Sequence, residues 1–343
     1  MAASPLIRPL EPEDAPGMHA LLTGALAARA GTTPFDPPAL AAARVASTPT
    51  ADVHRFGRFD LGRLVGFVAL EPRAGSRTRH VAGVRLVSEP HLAAPLLDVA
   101  LDLAWRWLNI DRVEIDLLAS DPLVEWLQQL PRPFRAELRR PAHRVTPTGL
   151  EASVHLGCLR EGFDPPAPCG PVPAWPARRP RQDGLVVRVA TPADATVFAA
   201  TMREPEVRWG TLQVASGTDA RWRARLHHTE RDQGVVFVAE LGGGVVGSAG
   251  LHPEPFPAHR AAMLGMGIAA AAQGCGVGRA LLIEVIGAAR WLGLGRIGLE
   301  VYPDNLRAIA LYSSFGFRPE GVRRAAAWRD GEVVDSMGMG LLL

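Results

Sequence analysis

This 343-residue chain repeats itself, and the repeat restricts its fold more than any other feature. Laying residue 83 on residue 267 aligns about forty-five positions without a gap. Gly83-Val84 falls on Gly267-Ile268, Trp107 on Trp291, and Arg112-Val113 on Arg296-Ile297. The openings also match. LIRPLEPEDA from Leu6 resembles VVRVATPADA from Val186, and GRLVGFVALEP from Gly62 resembles GGVVGSAGLHP from Gly243. Period-2 apolar strands and the helices between them recur in the same order. Such a repeat reads as two copies of one domain, residues 1–160 and 185–343. The join, residues 161–184, is rich in proline and should be a semi-rigid linker.

The second copy carries Gln-Gly-Cys-Gly-Val-Gly at Gln273 to Gly278, between an apolar strand pattern (Met263 to Ile268) and an apolar helix pattern (Ala280 to Leu292). A glycine-rich turn entering a helix is an anion site, because backbone N–H groups converge there and the helix dipole favours negative charge. No Lys-Ser/Thr follows, so it is not a P-loop, and the spacing is not G-x-G-x-x-G. Further on, Gly295 to Phe317 reads as a strand (Ile297 to Val301), a Pro-Asp-Asn turn, a helix (Leu306 to Ser314) and a Gly-Phe exit.

Together these motifs resemble the GCN5-related N-acetyltransferases, the GNAT family. Its pyrophosphate loop reads Q/R-x-x-G-x-G/A, and its later motif sets an Asn before a helix bearing a Tyr. The resemblance implies an α/β fold of two tandem acyl-CoA N-acyltransferase domains, each a mixed, mostly antiparallel sheet flanked by helices. The strands ending at Ile268 and Val301 should splay to admit acetyl-CoA as co-substrate. The cofactor would be held by Met266, Gly267, Ile268, Gln273, Gly274, Cys275, Gly276, Val277, Gly278, Arg279 and Asn305, with Tyr312 beside its sulfur. A backbone N–H near Ile268 would hold the thioester carbonyl. Acyl transfer to an amine needs a base for the amine and an acid for the leaving thiolate. The family pattern gives these roles to Glu300 and Tyr312, with Glu240 and His252 as fallback bases. Each residue also has a plain structural reading. Tyr312 would be a core aromatic, Asn305 a helix N-cap, Glu300 a solvated strand residue and Cys275 a small filler.

Composition adds bounds. Hydrophobic residues make up 48% of the chain, enough for two cores, and the net charge is +2 with both signs interspersed. Nothing in that pattern points to nucleic acid. All 37 basic residues are arginine, which with heavy Ala, Gly and Pro usage fits the coding bias of a GC-rich bacterial genome. Cys158, Cys169 and Cys275 form neither a metal-ligand spacing nor a disulfide framework, so no metal is expected. The N-terminal residues lack a signal-peptide pattern and no apolar run reaches membrane-spanning length. The expectation is a cytoplasmic protein without a membrane partner.

In the first copy the functional positions differ. Under the ungapped alignment Glu89 to Ala94 replaces the glycine loop, Gln128 replaces Tyr312 and Asp121 replaces Asn305. Pro90 removes a donor and Glu89 adds like charge. Residues 1–160 should therefore keep the fold without the cofactor site, and pack against the second copy. A monomer with paired domains, or a homodimer, follows. Acceptor choice belongs to Asp194 to Leu226, read as a helix, a break near Gly210 and a second helix begun by Thr218 or Asp219. Its wording resembles a bacterial subgroup of L-amino-acid N-acetyltransferases, which implies a small amine acceptor lined by Trp209 and Gln213, with Trp222 beside them. A mycothiol-synthase-like acceptor, a protein N-terminus, or a non-catalytic acetyl-CoA sensor are the alternatives.

Overall fold

The computed structural model describes residues 6–23, 53–73, 77–146, 149–163, 183–212, 218–231, 234–254 and 260–343. Most of the Pro-rich join and Gln213 lie outside the described residues. The chain divides into two compact units, Met1–Pro165 and Pro166–Leu343.

In the first unit the elements are β1 (Leu6–Pro9), α1 (Ala15–Thr23), β2 (His54–Asp60), β3 (Arg63–Pro72), β4 (Val81–Val87), α2 (Pro90–Asp102), β5 (Arg112–Leu118), α3 (Pro122–Gln128), β6 (Arg135–Thr146) and β7 (Gly149–Leu159). The sheet runs β1-β2-β3-β4-β5-β7-β6. Every pairing is antiparallel except β4 with β5.

The second unit repeats the plan with β8 (Val186–Val189), α4 (Ala195–Arg203), α5 (Pro205–Gly210), α6 (Asp219–Arg231), β9 (Val235–Leu241), β10 (Gly244–Pro253), β11 (Ala261–Ile268), α7 (Val277–Trp291), β12 (Arg296–Val301), α8 (Leu306–Ser313), β13 (Arg318–Arg329) and β14 (Glu332–Leu342). Its sheet order, β8-β9-β10-β11-β12-β14-β13, mirrors the first. Again one pair is parallel, β11 with β12. The break expected near Gly210 is there, where α5 ends, and a second break comes earlier. Pro205 cannot continue the α4 hydrogen bonds, so α4 stops at Arg203 and α5 starts with Pro205 at its first turn. Thr218 caps α6, its hydroxyl accepting from the Arg221 N–H at 3.2 Å.

Apolar period decides how α7 packs. Leu281, Leu282, Val285, Ile286 and Ala289 fall on one stripe and are buried, while Ile283 and Trp291 stay exposed. The stripe joins β-strand residues Ala249, Leu251, Leu264, Ile297 and Leu299 in one core. In the first unit Leu96, Leu97 and Ala100 of α2 pack with Val68, Leu70, Val113 and Ile115.

Ion pairs duplicate with the fold. Arg8 binds Asp14 at 2.7 Å, and Arg188 binds Asp194 at 2.8 Å. Arg112, fully buried, binds Glu137, as Arg296 binds Glu320 at 2.5 Å. Arg140 binds Asp116 at 2.9 Å, as Arg323 binds Glu300 at 2.6 Å.

The strand register corrects the ungapped alignment. Val81, Ala82 and Gly83 pair with Arg112, Val113 and Glu114, while Ala261, Ala262 and Met263 pair with Arg296, Ile297 and Gly298. The offset between copies is thus 180 residues in the first strand of each pair and 184 in the second. Gly83 takes the place of Met263, not of Gly267. The first copy is thus four residues shorter between the two strands of the pair, and only Ser88 and Glu89 separate β4 from α2, against eight residues between β11 and α7. The glycine loop there is shortened rather than replaced residue for residue. Because β is read by alternation and helix by a 3.6 period, an ungapped match cannot see a loop deletion that the later helix absorbs.

Candidate active site

The parallel pair opens the site. β11 and β12 hold hydrogen-bond register over three residue pairs, then diverge, leaving Leu264 to Ile268 and Leu299 to Val301 facing across a gap with no direct partner. Each strand is kept straight by its antiparallel neighbour, β10 and β14 respectively. Backbone groups on the facing edges are thus left for a ligand.

At the end of β11 the chain makes a short 3-10 turn, Ala270–Ala272, and enters α7 through Gly274 and Gly276. Both glycines take positive φ, 82° and 88°, a region that costs side-chain-bearing residues about 1–2 kcal/mol. Gly276 is the N-cap, so no cap side chain covers the helix start. The N–H groups of the first helical turn lack intrahelical acceptors and carry the positive end of the helix dipole. Two side chains brace the turn: the Glu204 carboxylate accepts from the Ala270 N–H at 2.7 Å, and the Gln273 amide donates to the Ile268 carbonyl at 3.1 Å.

One cavity of about 1000 Å³ gathers the predicted site. Its walls include Met266, Gly267, Ile268, Gln273, Gly274, Gly276, Gly278, Arg279, Glu300, Asn305 and Tyr312. Cys275 and Val277 do not face it with their side chains. Both are 1% exposed and pack into the core, which leaves only their backbone amides for a ligand. Tyr312 is buried, its ring centroid 5.7 Å from that of Phe317. Burial pushes its hydroxyl up to about 12, since a phenolate would lose its hydration there. The group therefore stays protonated at neutral pH and keeps a proton to donate.

Asn305 does cap α8, its Oδ1 accepting from the Ala308 N–H at 3.2 Å. In the first unit Asp121 caps α3 in the same way, through the Leu123 N–H at 2.9 Å. The cap is therefore common to both copies. Glu300 reaches the cavity wall, but its carboxylate accepts from Arg323 at 2.6 Å and from the Ser336 hydroxyl at 3.0 Å. The same carboxylate–arginine pair stands in the copy without the glycine loop, as Asp116 and Arg140. Glu240 pairs with Arg188 at 2.7 Å.

The acceptor side departs from expectation. Trp209 is not on the cavity wall; its ring lies under the Arg329 guanidinium at 4.4 Å, which also covers Tyr302 at 4.5 Å. Arg329 pairs in turn with Asp304, so Trp209 packs the turn before α8. Gln213 lies outside the described residues. Trp222 does line the cavity, with Phe198, Met202 and Leu226, and forms an apolar wall from α4 and α6. Sequence reasoning missed Glu204, whose bond to Ala270 spans 66 residues and leaves no local signal.

Among the described residues no group of three or more His, Cys, Asp or Glu side chains is placed to hold a metal. No described helix is long and apolar enough to cross a membrane. A splayed parallel pair, an uncapped glycine turn and a buried tyrosine on one cavity define an N-acyltransferase of the acyl-CoA-dependent class. Residues 197–317 match the family model for the acetyltransferase (GNAT) family. The L-amino acid N-acetyltransferase AaaT of Escherichia coli is 34% identical over 157 residues, 45% of this chain and 96% of that protein. A mycothiol acetyltransferase of Parafrankia is 32% identical over 165 residues, 41% of this chain and 51% of that protein. A solved GCN5-related N-acetyltransferase from Kribbella flavida, 31% identical, covers 47% of this chain and 99% of its own, with a TM-score of 0.43. The chain belongs to the acetyltransferase (GNAT) family. It is an acetyl-CoA-dependent N-acetyltransferase.

Proposed function

We propose that the second unit acetylates the primary amine of a small, amino-acid-like molecule by direct attack on the thioester. The observation that carries this reading is the single cavity that joins the glycine turn, Tyr312 and the apolar wall of Phe198, Trp222 and Leu226. A pyrophosphate would lie on the amides of Gly274 to Arg279, with the Arg279 guanidinium beside them. Asn305 retains its amide N–H₂, since Oδ1 serves the cap, and that donor would meet the pantetheine arm. Tyr312 donates its proton to the sulfur as the C–S bond breaks. The apolar wall favours acceptors with a hydrophobic group near the amine.

Likeness to the amino-acid acetyltransferase, nearly all of whose length is matched, supports this acceptor class. The mycothiol acetyltransferase match supports a second reading, an amino-sugar conjugate as acceptor. Thiol release from acetyl-CoA should be measured with a panel of L-amino acids, amino-sugar conjugates, polyamines and peptide N-termini. Turnover highest with apolar amino acids is the expected result. Preference for the amino-sugar arm would favour the second reading, and tight acetyl-CoA binding with no turnover would make the unit a sensor.

A further inference from the structure

The reading above leaves the amine proton without a taker, since both Glu300 and Glu240 sit in ion pairs. One face of β10 supplies another candidate. Ser248, Gly250 and His252 alternate along that strand, and all three line the cavity. Their partners on β11 are Gly267, Gly265 and Met263, so glycines stand opposite Ser248 and Gly250. The His252 imidazole does not stand away from the strand. It leans over Gly250: a Cβ at Gly250 would fall 2.6 Å from Nε2 and 3.2 Å from Cε1. Only glycine leaves room for the ring in that place.

The geometry points to His252 as the catalytic base of the acetyl transfer, with Gly250 as the residue that positions its ring. In the step, His252 Nε2 takes one proton from the acceptor ammonium, directly or through one water. The freed lone pair bonds to the thioester carbonyl carbon, the C–S bond breaks, and the sulfur takes the Tyr312 proton. The new amide nitrogen still carries two protons and loses one as the thiolate leaves; passed through solvent it restores the Tyr312 hydroxyl, while His252 gives its own proton to solvent, so the cycle closes. No oxidant or metal enters. The other charged or titratable groups on the cavity wall are Glu206 on α5, Arg279 on α7, Glu300 on β12 with its partner Arg323, and Arg307 and Tyr312 on α8. Of the carboxylates, Glu206 is exposed and Glu300 is ion-paired. An imidazole can take up and release a proton near neutral pH, as such a base must.

This inference rests on the proposed reaction, and its test separates the two. Full-length His252→Gln should bind acetyl-CoA with unchanged affinity by calorimetry. Its kcat/KM for the best amine should fall by about 10²–10⁴-fold at pH 7. The wild-type rate should drop as acid protonates the imidazole, and that acidic limb should vanish in His252→Gln but persist in Glu300→Gln. Gly250→Ala, which pushes the ring aside, should lower kcat by about tenfold or more with acetyl-CoA affinity kept. Wild-type turnover matched within threefold by His252→Gln, limb intact, would overturn the assignment alone. A wild-type chain that turns over no amine would overturn the reaction as well.

Discussion

At the scale of single residues, Tyr312 and Glu300 separate two kinds of site residue. Burial raises the Tyr312 hydroxyl to about 12. The protonated form is the active one, so rates should stay free of a Tyr312 limb until the pH approaches 12. Tyr312→Phe should cut kcat about 10²–10⁴-fold with acetyl-CoA affinity little changed. Steady-state kinetics beside calorimetry check this, and a variant with near-wild-type kcat would show that water supplies the proton. Glu300 has the opposite signature, a carboxylate already satisfied by Arg323 and Ser336. Removing its charge strands a nearly buried guanidinium, at a cost of about 1–3 kcal/mol. Glu300→Gln should therefore lower Tm by several degrees and leave the pH profile in place. Loss of the acidic limb in that variant would restore Glu300 as the base.

Among the elements, the turn into α7 carries the cofactor prediction. Gly276→Glu sets a side chain on a residue at φ 88° and a negative charge at the helix start. Acetyl-CoA binding should become undetectable by calorimetry while the far-UV spectrum is retained. Affinity within threefold of wild type would place the pyrophosphate elsewhere. Glu204→Ala removes the acceptor of the Ala270 N–H and loosens the same turn. A loss of about 1 kcal/mol, roughly fivefold in Kd, is expected. The motif Gln273 to Gly278 was plain in the sequence because its glycines are close together and sit between two periodic segments. Its brace was not, because Glu204 belongs to another element and gives no pattern of its own.

For the molecule as a whole, two copies of one sheet plan predict one cofactor site. The first unit goes from Val87 to Pro90 with two residues between, too few for a glycine turn. Calorimetry of the full chain should give one acetyl-CoA per chain, falling to none in Gly276→Glu. Two sites would mean that the shortened connection also binds. Expression of residues 182–343 alone tests the expectation that the first copy is needed; a soluble monomer with full turnover would overturn it.

Local chemistry and periodicity by themselves determined the duplication, the strand and helix order, and the glycine turn with the Asn305–Tyr312 helix behind it. Hydrophobic period and turn chemistry act over a few residues, so they survive in one dimension. The shortened connection between β4 and α2, the stacking of Trp209 under Arg329, the engagement of Glu300 and the lean of His252 over Gly250 were decided by tertiary structure. Each depends on which strand lies beside which, and on whether a neighbour has a Cβ, and that is fixed only once the sheet is assembled.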